Sequence, residues 1–234
     1  MSSTPASLEH RGPSLFAVGL VYLGLSVAGL LAGLLAGGPY PSPFDAGSVI
    51  WFPLHEGATR LFAFFMFGAS VPLGIFAATA VSRLRFLGVR VAGVDIAFFG
   101  GVAASILTAI GALLAWVLAY APGVAAHSFH VLAFAVGGVG ATVALGIFLA
   151  GLSVSAGLAG LLPRWLMVLG LVGAAICELG SLTLVVNFAA VLLPLARLLA
   201  FVWIVAIAAV LPRSRRPSET PAARPAGWLV SESP

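Results

Sequence analysis

The chain has 234 residues, 61% hydrophobic and only 8% charged, and its basic residues are 11 arginines with no lysine, set against 7 acidic residues. Soluble domains carry roughly 25% charged residues, so this composition excludes a water-soluble fold and names lipid as the solvent. The net charge of +4 does not indicate a nucleic-acid partner, because the arginines stand between apolar segments instead of forming a basic stripe with interleaved aromatics.

In chain order, residues 1–13 read as a short cytoplasmic segment. No charge occurs between Arg11 and Asp45, so the first membrane span is expected at about 14–36. Tyr40, Phe44, Trp51 and Phe52 follow among several prolines, a pattern that suits a short segment lying at the bilayer interface. A second span at about 58–82 is closed by Arg83, Arg85 and Arg90. Between Asp95 and Arg164 there is no formal charge, a length that needs two crossings. Tyr120, Pro122 and Gly123 supply the turn between spans at about 93–120 and 128–151. Pro163 and Arg164 open the fifth span, 165–187. A sixth, 190–211, is stopped by Pro212, Arg213, Arg215 and Arg216. Pro194 is tolerated in the first turn of that last helix, where its missing N–H has no intrahelical partner. The stretch 212–234, rich in Pro, Ser, Arg and Ala, reads as a disordered cytoplasmic tail.

The reading is therefore an all-α membrane protein, a six-transmembrane-helix bundle. Six spans put both termini on one side. Arg11, Arg83, Arg85, Arg90, Arg164, Arg213, Arg215, Arg216 and Arg224 share that side, with Arg60 near the other, so the positive-inside rule makes both termini cytoplasmic. A β-barrel is excluded because the apolar runs do not alternate with polar residues.

Helices in lipid associate through close packing and polar contacts. Gly29, Gly33 and Gly37 form a double GxxxG ridge on the first span, suited to packing within the molecule or to a homodimer. Gly137, Gly138, Gly140, Ala141 and Gly146 line the fourth span, and Gly100 and Gly101 lie on the third. The lone cysteine, Cys177, excludes disulfide frameworks and Cys-rich metal sites.

Ionisable groups at membrane depth are functional hypotheses by default. Glu178 and Arg197 stand nearly equidistant from the expected hairpin at Asn187 and Phe188, which predicts an intramembrane ion pair. That pair would either lock two helices together or serve as a proton or anion relay. A second group, His55, Glu56, His127 and His130, gathers at the non-cytoplasmic ends of the second and fourth spans with Arg60 beside it. Three imidazoles and a carboxylate suit a divalent metal that could activate water, and they equally suit interfacial contact with headgroups. Asp95 is placed to cap the third span or pair with Arg90.

The strings RLFAFFMFGASVPLG and RLRFLGVRVAG, LLPRWLMVLGLVGA, and LLPLARLLAFVWIVAIAAVLP together resemble a bacterial multi-pass integral membrane family known only as a domain of unknown function. The resemblance spans most of the chain and implies a compact integral membrane protein, with no activity or catalytic residue attached.

Three functions are expected to compete. The leading one is a non-enzymatic accessory, sensor or assembly component of the bacterial inner membrane, without a cofactor, whose partners are the bilayer and a second copy or another membrane protein. The others are a small proton-coupled transporter using Glu178 and Arg197, and a membrane metalloenzyme built on His55, Glu56, His127 and His130.

Overall fold

The computed structural model describes residues 8–45 and 47–215. Among them are eight α-helices: α1 (Leu15–Gly37), α2 (Ser48–Leu54), α3 (Glu56–Phe86), α4 (Ala92–Leu118), α5 (Gly123–Ala133), α6 (Ala141–Leu158), α7 (Arg164–Leu179) and α8 (Leu192–Val210). A π-helical segment, Phe134–Gly140, joins α5 to α6. Two 3₁₀ turns, Gly180–Leu184 and Asn187–Val191, make the hairpin between α7 and α8. Six of these stretches are long and apolar enough to cross a membrane: Leu15–Gly37, Glu56–Phe86, Ala92–Leu118, Gly123–Leu158, Arg164–Leu184 and Asn187–Val210.

The fourth stretch begins at Gly123 rather than 128 and ends at Leu158 rather than 151. Extended Pro122 fixes its start, and Gly160, in the left-handed region at φ 69°, turns the chain beyond its end. At 36 residues it is about 54 Å long, well beyond the roughly 30 Å hydrocarbon core, and its first turns pack beside α2. There Phe52 of α2 is buried with Leu118, Ala121 and Ala126.

The spans pack in sequence order, α1 on α3, α3 on α4, α4 on α6, α6 on α7 and α7 on α8, and α8 returns to α1 to close the ring. The half of the ring nearest the termini is solid. Phe76 (α3), Phe148 (α6) and Trp203 (α8) are fully buried and stack edge to face at centroid distances of 6.2 and 6.1 Å. The Trp203 indole N–H donates to the Leu166 carbonyl at 3.2 Å.

Small residues let α4 cross the π-segment and α6 at backbone contact. A Cβ on Gly100 would lie 2.5 Å from the Phe148 nitrogen, and one on Gly111 would lie 2.4 Å from the Gly137 Cα. The first-span ridge is used inside the molecule as well. A Cβ on Gly29 would lie 3.1 Å from Phe65 Cβ, and one on Gly37 would lie 2.9 Å from the Trp51 ring, while Gly33 faces Tyr40 and Phe62. That face of α1 is therefore packed against α3 and the α2 region within the molecule.

At the other end, two-residue strands β1 (Leu8–Glu9) and β2 (Ser214–Arg215) pair antiparallel and tie the start of the chain to its end. The expected tail 212–234 thus begins with a paired segment, and residues 216–234 lie outside the described residues. The His10 imidazole bonds the Ser82 hydroxyl at 3.0 Å and meets the Phe86 ring edge to face. Arg83 is buried and donates to the Leu211 carbonyl. Arg85, rather than Arg90, pairs with Asp95, and Val91, not Asp95, is the N-cap of α4.

Candidate functional site

The half of the bundle nearest α2 is not filled. Near the termini α8 lies tight on α1: Tyr22 and Phe201 meet edge to face at 5.5 Å, and Gly19 sits against Ile204. Beyond Phe201 the two helices part, and a cavity of about 390 Å³ opens between them. Its mouth is bordered by the exposed Leu30 of α1 and the exposed Pro194 and Leu198 of α8. Pro194 is the third residue of α8, within the first turn. The cavity wall is almost wholly apolar, built by Phe62 and Met66 of α3, the Thr108–Leu118 part of α4, Phe134, and Leu193. Tyr40, packed on Trp51, Phe52 and Phe62, closes the α2 end.

Arg197 lies at the deep end. It is one helical turn before Phe201 on α8, so the tight α1–α8 contact forms the floor beneath it. Its guanidinium donates to the Gly137 carbonyl. Two carbonyls of the π-segment take side-chain donors: Gly137 from Arg197, and Gly138, which also accepts the Ala141 N–H, from the Thr142 hydroxyl at 2.6 Å. Gly137 is held in place from behind by Gly111. The surface that Arg197 retains faces the cavity.

The expected ion pair is not formed. Among the described residues, no ion pair joins Glu178 to Arg197. Glu178 is exposed and lies over Gly146 of α6, its Oε1 3.2 Å from where a Cβ there would sit. The buried stripe of α7 runs through Leu166, Gly170, Gly173, Ala174 and Cys177, and Glu178 falls one residue outside it. Depth alone does not set the facing direction. Each five-residue 3₁₀ turn in the hairpin advances 120° per residue instead of 100°, rotating the helical face by roughly 100°.

Nor do the histidines converge on a metal. Among the described residues, no group of three or more His, Cys, Asp or Glu side chains is placed to hold an ion. The His55 Nδ1–H donates to the Trp51 carbonyl at 2.8 Å, and the ring stacks on that of Trp51 at 4.4 Å, which joins α2 to α3. Glu56 faces Arg60 at 3.9 Å in an exposed pair, and Arg60 also reaches the Tyr120 hydroxyl and ring. His130 is 7% exposed, packs its ring edge to face with Phe52 and borders the cavity.

Sequence reasoning picked out Arg197 and His130 but assigned them different partners. Thr108 and Ala115, which line the same cavity, carried no signal of their own, and Tyr40 was read only as part of an interfacial segment. The glycine cluster at 137, 138 and 140 was the visible sign of the close α4 crossing, although it gave no hint of a π-helical segment. Compared with protein families, curated proteins and solved structures, the chain returns no match.

Proposed function

We propose that the protein is a non-enzymatic sensor or accessory component of the bacterial inner membrane that takes a ligand with an apolar body from the bilayer into the cavity between α1 and α8. The observation that carries this is the cavity itself: about 390 Å³ with apolar walls, bordered by lipid-facing Leu30 and Leu198. That volume lies within the range of small-molecule sites, which are largely apolar with a few placed polar groups.

A route for reporting occupancy starts at Arg197. Its bond to Gly137 lies on the π-segment, and Phe134, at the start of that segment, touches Phe44 of the α1–α2 loop at 5.6 Å. An occupant that draws Arg197 away from the carbonyl frees a backbone acceptor in the π-segment and biases the loop end of the molecule. The arginines at the termini end support a bilayer orientation with both termini cytoplasmic.

The test is photolabelling of the full chain in vesicles with a twelve-carbon alkyl diazirine. Label is expected on the peptides carrying Phe62, Thr108 and Phe134, and Ala115→Phe, which fills the cavity from α4, should remove it. Equal labelling of those peptides in wild type and Ala115→Phe would refute uptake.

A further inference from the structure

Resting on that reading of the cavity, the geometry points to the chemical class of its ligand: a single hydrocarbon chain bearing an oxyanion head, a carboxylate or phosphate monoester, seated with the head on Arg197 and the chain running toward the mouth.

The first argument is charge. A guanidinium remains protonated inside a protein, and a buried cation requires compensation. Among the described residues, the hydrogen-bond partner of its five N–H donors is one carbonyl, that of Gly137. The side chains around the deep end are neutral on every helix that faces Arg197: Tyr22 and Ser26 of α1, Thr108 of α4, Thr142 of α6 and Phe201 of α8. Cys177 contributes from α7, and Glu178, the nearest acid in sequence on that helix, turns away onto Gly146. The missing counter-charge is one a ligand can bring, and an oxyanion matches the planar fork of the guanidinium.

The second argument is polarity along the wall. His130 borders the same cavity, is more than nine-tenths buried, and its Nδ1 has no hydrogen-bond partner. Buried polar groups are normally satisfied, and an exception calls for a cause. The cavity thus has Arg197 as the polar point open to it in an otherwise apolar enclosure, with the unpartnered His130 Nδ1 covered beside the wall.

The third argument is size and access. At about 390 Å³ the space lies near the small end of ligand sites, enough for one chain and not for the two chains of a phospholipid. Its mouth lies at a lipid-facing gap, so an amphiphile enters chain and head together without crossing the packed half of the bundle.

The experiment measures binding of dodecanoate, dodecyl phosphate and 1-dodecanol to the purified full chain in nanodiscs. The anions are expected to bind at least about tenfold more tightly than the alcohol, the scale of one charge-assisted hydrogen bond. Arg197→Gln should erase that preference and Arg197→Lys should keep part of it. Preference for the carboxylate assigns a free fatty acid, and preference for the phosphate assigns a phosphomonoester lipid. Ala115→Phe retains Arg197 and should abolish binding of all three, so the proposal stays testable where Arg197→Gln fails to fold. If the alcohol binds as well as the anions and is blocked by Ala115→Phe, the cavity reading stands and the anion assignment is overturned. If none binds, both fall. Anion binding that persists in Ala115→Phe overturns the placement on Arg197.

Discussion

Replacing Gly100 with alanine tests whether the α4–α6 contact depends on the absence of a side chain. A Cβ at that position would lie 2.5 Å from the Phe148 nitrogen, 2.8 Å from the Ala144 oxygen and 2.9 Å from the Ile147 carbonyl carbon. All three are backbone atoms, which no rotamer change can move. Non-bonded heavy atoms settle at about 3.5–4.0 Å, so the two helices must part by roughly 1 Å. Overpacking of this kind costs about 1–3 kcal/mol. The gain in helix propensity from glycine to alanine returns up to about 1 kcal/mol. Gly24→Ala supplies the comparison, because a Cβ there meets nothing within 4 Å and only the propensity gain applies. The two variants should therefore differ by about 2 kcal/mol, a factor of about 30 in the folded-to-unfolded ratio. Reversible unfolding in bicelles, followed by tryptophan fluorescence, measures the difference. A Gly100→Ala protein as stable as Gly24→Ala would show that the backbone contact is not what holds α4 to α6.

The contact between the termini should depend on pH. The His10 imidazole is held below its ordinary pKa, first by burial and then by the neighbouring Arg83 charge. Its neutral form is favoured when docked, so the docked state is fully stable above the free histidine value of about 6.5 and loses stability as pH falls from there toward the lowered docked value. Hydrogen-exchange protection of the His10 amide, which donates to the Arg213 carbonyl at 3.0 Å, should drop on going from pH 7.5 to pH 5.5. His10→Gln should remove the dependence, and constant protection across that interval would refute it. Orientation can be read with reporters fused after Pro212 and within the 38–47 loop. A cytoplasm-active fluorescent fusion is expected to report only from the first position and a periplasm-active phosphatase only from the second, and the reverse pattern would overturn the orientation drawn from the arginines.

Much of the architecture was legible because bilayer solvation acts on local composition. A predominantly apolar run long enough to cross the hydrocarbon core has to be a helix, since each backbone polar group needs a partner inside its own segment. Six such runs in the chain become six membrane-length helices. The glycines at 100, 137 and 146 were also visible as sites of close approach, although their partners were not, because a small residue shows where a backbone can come near and not which backbone does so.

The candidate site was legible only in part. Arg197 stood out because a charge at membrane depth is costly, and its distance from the hairpin gave its depth. Its partner was decided by rotation about the helix axis. Two 3₁₀ turns and one π-helical segment shift the phase of α7, α8 and the fourth span, and these departures from 3.6 residues per turn arise from packing among several helices. The sequence by itself determined the solvent, the number of crossings and the clustering of arginines at the end that holds the termini, because each follows from the local balance of apolar and charged residues. The tertiary structure alone decided that Glu178 turns outward, that no three of His55, Glu56, His127 and His130 are placed to hold one ion, and that Arg197 faces a cavity beside Gly137, because helical phase and the parting of α1 from α8 are properties of the assembled bundle.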